Sequence, residues 1–125
     1  KPARGLWDLK LTPGGLVDIE FAAQFLQLVN AATGGPLEAH TTYALAAFAA
    51  EPGIDKLQRA WRLQQDLAQL LRVALADRSD PSDEPAAFRS LLAKAGGARG
   101  FRALQVKLAR EQASARQAFQ QLLGG

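Results

Sequence analysis

Glycine and proline breakers divide this chain into a short N-terminal stretch and five further segments, and no other feature limits its fold as strongly. Between the breakers, apolar residues recur every three or four positions, which is the period of an α-helix with a buried face. The breakers are Pro13-Gly14-Gly15, Gly34-Gly35-Pro36, Glu51-Pro52-Gly53, the loop 77–85 and Gly96-Gly97. The pattern predicts helices over about 16–32, 41–48, 55–77, 86–95 and 101–123.

The composition favours helices over strands. Hydrophobic residues make up 48% of the 125 residues, but aromatic residues only 7%. Alanine and leucine dominate, and they lose little side-chain entropy in a helix, whereas strands favour β-branched and aromatic residues. We therefore expect an all-α fold: an up-and-down bundle of about five helices with a short extended N-terminal segment, forming one domain over residues 1–125.

Several classes of protein are excluded or disfavoured by composition. The chain has no cysteine, so it forms neither a disulfide nor a thiolate metal site, and its single histidine, His40, cannot build a histidine metal cage. We interpret His40 as a surface or capping residue. The chain has no run of eighteen apolar residues, so the sequence predicts no membrane-spanning helix. The formal charge of +3 is spread without a basic block, so we expect no nucleic-acid partner.

The N-terminus predicts a piece of a larger cytoplasmic protein. The first residues lack an initiator methionine and the apolar stretch of a signal peptide. Trp7 could anchor the core of this domain or pack against a neighbouring one, and both alternatives stay open.

Asp18 has an unusual position on the first predicted helix. It points about 160° away from Glu20 on a helical wheel, into the middle of an apolar arc. A carboxylate there needs hydrogen-bond donors, which Lys10 or the free amides of the first turn could supply. The arc comprises Phe21, Ala22, Phe25, Leu26, Leu28 and Val29, and the polar stripe opposite it comprises Glu20, Gln24 and Gln27.

Local signals also predict helix caps and the buried side of the third helix. A hydroxyl of Thr41 or Thr42 would cap the second helix and Asp55 the third. The acidic loop containing Asp77 and Asp80 lacks the spacing of an EF-hand, so we expect it to be solvated. The predicted buried side of the third helix comprises Leu57, Trp61, Leu63 or Gln64, Leu67, Leu71 and Leu75.

Two interpretations of residues 7–21 are compatible with the residue types. In the structural one, Asp18 caps the helix and pairs with Lys10, while Gly14 and Gly15 turn the chain. In the functional one, the turn faces a nucleotide: Lys10 reaches a phosphate, and Asp18 or Glu20 orients Lys10 or a bound Mg²⁺.

A family resemblance favours the functional interpretation. Asp8-Leu9-Lys10, then Gly14-Gly15-Leu-Val-Asp-Ile-Glu-Phe21 and Gln24, resemble the motif that opens the helical domain of glutamine-synthetase adenylyltransferases. Val17-Asp18 resembles the C-terminal half of these enzymes, which adds AMP, and the end of the chain resembles the family's final helix. The third helix departs from the pattern, since Gln64-Gln65 stand where the family commonly has Leu-Arg.

The resemblance implies that the chemistry lies elsewhere in the parent enzyme. Family members transfer AMP from ATP with Mg²⁺, using an upstream nucleotidyltransferase domain that carries Gly-Ser and Asp-x-Asp elements, which this chain lacks. The chain would then hold no catalytic or metal residue of its own. Lys10, Asp18 and Glu20 would face the nucleotide, with Gly14 and Gly15 forming the turn. The implied partners are glutamine synthetase, the upstream domain and the PII signal protein.

Two other functions stay open. The chain could be a regulatory module that docks glutamine synthetase or PII through the polar face of its last helix, which includes Lys107 and Arg110. It could instead be a helical domain of the related uridylyltransferases, which modify PII itself. In both alternatives it is a helical, non-membrane protein.

Overall fold

Five α-helices form the regular structure of a computed structural model that describes residues 5–35, 37–75 and 80–124, except the side chain of Leu75. Within these ranges there is no strand, so the predicted all-α class is confirmed. None of the described helices is both long and apolar enough to cross a membrane. The helices are α1 (Leu16–Ala31), α2 (Thr41–Ala47), α3 (Ile54–Leu75), α4 (Ala86–Ala95) and α5 (Phe101–Gly124).

The breakers, where the structure describes them, lie outside the helices as predicted. Gly34 and Gly53 adopt φ angles of 80° and 87°, in the left-handed region that favours glycine. The end of α3 apart, the observed and predicted helix ends differ by one residue at most. Asp77, the predicted end of the third helix, lies outside the described residues. The side chain of Leu75, which we predicted to be buried, lies outside the described part of the chain as well.

Helix α3 is the central element and packs against the other four described helices, while α5 packs against α1, α3 and α4, and α2 packs on α1 and α3. Helix α3 runs antiparallel to α5, since Gly53 at its start lies against Ala118 and Arg59 faces Glu111. Helix α1 runs parallel to α5, as the contacts between them show: in each contacting pair, the two residues lie 98 positions apart in the sequence. These contacting pairs are Gly14 with Gln112, Asp18 with Arg116, and Phe21 with Phe119.

Buried apolar side chains form two clusters that meet at Leu16, which packs against both. We call them the Trp61 cluster and the Trp7 cluster. The Trp61 cluster comprises Ile19, Ala22, Ala23, Leu26, Ala44, Leu45, Phe48, Ile54, Leu57, Ala60, Trp61, Ala115 and Ala118. The Trp7 cluster comprises Trp7, Leu9, Leu63, Leu67, Leu71, Leu92, Ala93, Leu104 and Leu108.

The segment before α1 is folded into turns and is not extended as predicted. The Asp8 carbonyl accepts hydrogen bonds from the amides of Leu11 and Thr12, at 3.2 and 2.9 Å. Trp7 and Leu9 are both buried, and the Trp7 indole stacks on Phe101 at 5.6 Å between ring centroids. An extended segment would need a neighbouring strand for its amides, whereas turns satisfy them locally. Trp7 is therefore a core anchor of this chain.

The predicted caps of α2 and α3 are wrong. The hydroxyl of Thr42 accepts a hydrogen bond from the indole nitrogen of Trp61 at 2.9 Å, which holds α2 against α3. His40 occupies the N-cap position of α2 without a side-chain cap bond, and it is exposed, as predicted for a surface histidine. Asp55 lies inside the first turn of α3 and pairs with Arg59 at 3.2 Å.

Only part of the predicted apolar arc of α1 is buried. Ala22 and Leu26 belong to the core, but Phe21, Leu28 and Val29 are 49%, 75% and 56% exposed. The buried residues Ile19, Ala22, Ala23 and Leu26 mark the side of α1 that packs against the other helices, of which α2, α3 and α5 contact it.

Candidate functional site

The glycine pair before α1 is required by close packing of backbone on backbone. Gly14 has a φ of 80°, and a Cβ there would lie 1.9 Å from the carbonyl oxygen of Gln112 in α5. A Cβ on Gly15 would lie 2.4 Å from the carbonyl oxygen of Leu9. Real Cβ atoms never approach so closely, so both positions need glycine. The turn is consequently buried against α5, which accounts for the Gly-Gly element structurally.

Asp18 fastens this turn to the last helix. Its Oδ2 accepts hydrogen bonds from the Gly14 amide at 2.7 Å and from Arg116 Nη1 at 2.9 Å. The Asp18 side chain is 21% exposed and the Arg116 side chain 37%. The guanidinium also lies 4.8 Å from the centre of the Phe119 ring, which orients it. Arg116 thus takes the place that the structural interpretation gave to Lys10.

The amides at the start of α1 already have partners. The Leu16 amide donates to the Leu9 carbonyl at 2.7 Å, and the Val17 amide donates to the Lys10 carbonyl at 3.0 Å. These are two of the groups that a helix N-terminus would otherwise offer to an anion. A phosphate approaching this turn would therefore be bound mainly by side chains.

Lys10 and Glu20 are both exposed near the start of α1. The bond between Lys10 and Val17 brings Lys10 next to the first turn of α1, and Glu20 follows Val17 by one helical turn. Both side chains are exposed, and neither forms a hydrogen bond or ion pair within the described residues. The structure thus separates the predicted set: Asp18 is bound internally, whereas Lys10 and Glu20 face outward. Their role toward a nucleotide stays a prediction.

The described residues do not by themselves fit a Mg²⁺ site. They contain no group of three histidine or carboxylate side chains placed to hold a metal ion. The Asp18 carboxylate is already bound to an amide and a guanidinium, and Mg²⁺ prefers near-octahedral oxygen ligands.

A buried pair of glutamines supports the turn, and the sequence pointed only to Gln64, as the alternative to Leu63 on the buried side of α3. Gln64 is fully buried, and its Nε2 donates to the Gly14 carbonyl at 3.0 Å. Gln112 Nε2 donates to Gln64 Oε1 at 3.1 Å and to the Leu6 carbonyl at 2.9 Å. The apolar pattern indicates the burial of Gln64, which lies midway between Leu57 and Leu71 on the apolar side of α3. A glutamine on an apolar helix face needs buried partners.

Comparison with known families assigns the chain. The family model described as GlnD PII-uridylyltransferase matches residues 5–123. The chain belongs to this PII-uridylyltransferase family. No solved structure gave a significant match.

Individual relatives of this chain are named as adenylyltransferases, whereas the family model is described as a uridylyltransferase. A protein of Caulobacter vibrioides is 55% identical over 130 residues, which cover 100% of this chain. Proteins of Rhodopseudomonas palustris and Rhizobium meliloti are 40% and 38% identical, each over 96% of the chain. All three are named bifunctional glutamine synthetase adenylyltransferase/adenylyl-removing enzyme. The matched region spans only 13% of the length of each relative.

Proposed function

We propose that this chain is an accessory helical domain of a glutamine-synthetase adenylyltransferase, from the C-terminal half that adds AMP. One observation carries the proposal: the identity to relatives of that name extends over the whole chain. The motif from Asp8 to Gln24 supports the same assignment. The transfer of AMP from ATP would take place in a nucleotidyltransferase domain of the same cytoplasmic parent, with glutamine synthetase as the acceptor.

The geometry supports different roles for Asp18 and for the exposed residues Lys10 and Glu20. Asp18 is a positioning residue, because its bonds to Gly14 and Arg116 fix the turn on α5. Lys10 presents an exposed ammonium group that an ATP phosphate would bind, and Glu20 would orient that group. The ligands of Mg²⁺ would come from the nucleotidyltransferase domain, since the described residues of this chain offer no cluster for the ion.

The test uses the full-length parent enzyme carrying Lys10→Gln. We expect the rate of AMP transfer to glutamine synthetase to fall roughly a hundredfold, about 2.7 kcal/mol of barrier, with an unchanged melting temperature because Lys10 is exposed. Lys94→Gln, at another exposed lysine, is the matched control and should keep the wild-type rate. A wild-type rate for Lys10→Gln would place the segment outside the nucleotide site.

Asp18→Asn, made in the same enzyme, tests whether Asp18 acts by holding the turn in place. Because Asp18 holds the turn, we expect this variant to lose rate and melting temperature together.

The coding sequence before Lys1 offers a simpler check, since it should encode Gly-Ser and Asp-x-Asp elements. Their absence would remove the basis of the proposal.

A second candidate function is uridylyl transfer to PII, which the description of the family model favours. The parent enzyme, given labelled ATP or labelled UTP, distinguishes the two. Labelled glutamine synthetase supports the first proposal, and labelled PII supports the second.

A docking module that acts through α5 is the third candidate, and the structure changes how it should be tested. Lys107 Nζ donates to the Gly96 carbonyl at 2.7 Å, so its substitution would disturb the turn between α4 and α5. Arg110 is exposed and is the cleaner probe. If Arg110→Gln weakens binding of glutamine synthetase or PII while Lys10→Gln has no effect on transfer, the docking role replaces the nucleotide role.

A further inference from the structure

Helix α1 has a second apolar side that the described chain covers only in part. Val17, Phe21 and Leu28 are 39%, 49% and 75% exposed, and Phe25 is half-buried. They are spaced at i, i+4, i+8 and i+11, so they form one continuous stripe along the helix. We call this set the outer stripe. Isolated exposed apolar residues need no explanation, whereas a continuous stripe on one helix face is a candidate contact surface.

The outer stripe has the layout of an interface. Glu20 and Gln24 are exposed along one edge of it. On the other side, the Phe21 ring rests against Phe119 at 6.2 Å between centroids, and Arg116 covers Phe119. An apolar centre with a polar rim is the usual arrangement of protein contacts. The packing beneath Phe21 holds the surface in shape before anything binds.

The size of the outer stripe indicates which partner it fits. A 16-residue helix is about 24 Å long and 10 Å wide, so one face offers roughly 240 Å². A stable complex of separate proteins buries about 800 Å² on each partner. The stripe is too small to hold a free partner by itself. A domain joined through the same polypeptide binds at millimolar effective concentration and can use a smaller contact.

We propose that the outer stripe docks the nucleotidyltransferase domain of the same parent polypeptide. Most of the length of the relatives lies outside the region that this chain matches, so such a tethered neighbour is available. The stripe begins at Val17, whose amide is bonded to Lys10, and therefore continues directly from the surface that carries Lys10 and Glu20. The inference rests on the proposed function in one respect, namely that this chain is one domain of that longer enzyme.

The test is hydroxyl-radical footprinting of the full-length parent enzyme, with the 125-residue chain as the comparison. We expect Phe21, Phe25 and Leu28 to react at least fivefold more slowly in the monomeric parent than in the chain. Leu91, which is 50% exposed on α4, should react equally in both. Equal reactivity of the stripe in both proteins would overturn the proposal. Protection that is already present in the chain and grows with its concentration would overturn it in favour of a second copy.

A double variant, Phe21→Ser with Leu28→Ser, supplies a second measurement. In the parent it should restore the reactivity of Phe25, whereas Leu91→Ser should not. Footprinting is independent of catalysis, so the two proposals fail separately. A protected stripe with a wild-type rate for Lys10→Gln would reject the nucleotide role and keep the docking surface.

Discussion

At the scale of single residues, the turn before α1 shows how backbone approach and hydrogen bonding constrain a short motif. Gly14 touches the backbone of α5, donates its amide to Asp18 and accepts from Gln64 through its carbonyl. Each of these contacts fixes the turn from a different helix. A motif of this kind can therefore persist for structural reasons even before any ligand is considered.

We predict that Gly14→Ala destabilises the chain far more than Gly34→Ala. Both glycines have a φ of 80°, so each substitution costs about 1 kcal/mol for the left-handed backbone alone. Only at Gly14 does the new Cβ also meet the Gln112 carbonyl, whereas nothing lies within 4 Å at Gly34. We expect a total loss of about 3 kcal/mol for Gly14→Ala. Urea unfolding measures both, and equal losses would show that the clash is relieved by small shifts.

At the scale of helices, the parallel contact between α1 and α5 is held by a partly buried ion pair. Asp18 and Arg116 are the charged members of that contact, and the Phe21 and Phe119 rings meet one turn further along. The pair therefore sets the register of α1 on α5, and with it the position of the turn.

We predict a coupling free energy of about 1 kcal/mol between Asp18 and Arg116, from a double-mutant cycle with Asp18→Asn and Arg116→Gln. The exposed pair of Asp55 and Arg59, at 66% and 54% exposure, is the control and should give about 0.3 kcal/mol. Urea unfolding supplies the free energies. A coupling for Asp18 and Arg116 no larger than the control would mean that packing alone sets the register.

The same contact shows how far sequence reasoning reaches in this protein. The five helices were predictable because glycine and proline end them locally. The need of Asp18 for hydrogen-bond donors was predictable as well, because a helical wheel places it among apolar residues. Its partner Arg116 was not predictable, since it lies 98 positions away and no local pattern connects the two. The exposure of Phe21 depends likewise on which side of α1 a neighbouring helix covers, and helical periodicity does not specify that.

At the scale of the whole molecule, two apolar clusters are joined through shared helices and a buried polar link. Leu16 packs against both clusters, and Gln64 and Gln112 hydrogen-bond to each other and to the segment before α1. Separate unfolding of either cluster would expose these amides without partners. The two clusters should therefore unfold together.

We predict a single cooperative transition that each tryptophan reports equally. Trp7→Phe leaves Trp61 to report on its cluster, and Trp61→Phe leaves Trp7 to report on the other. In each variant, the urea midpoint from tryptophan fluorescence should coincide with the midpoint from far-UV circular dichroism. Midpoints that differ between the two probes within either variant would show that one cluster opens first.

The parallel contact between α1 and α5 also sets an order of events during synthesis. The turn at Gly14 meets its backbone neighbour only after Gln112 has been made, 98 positions later in the chain. A ribosome adds roughly 5–20 residues per second, so this interval lasts roughly 5–20 seconds. Until then, Asp18 has no Arg116 to bind. A chain terminated early, before α5, would carry the whole motif in its sequence and still lack the folded turn.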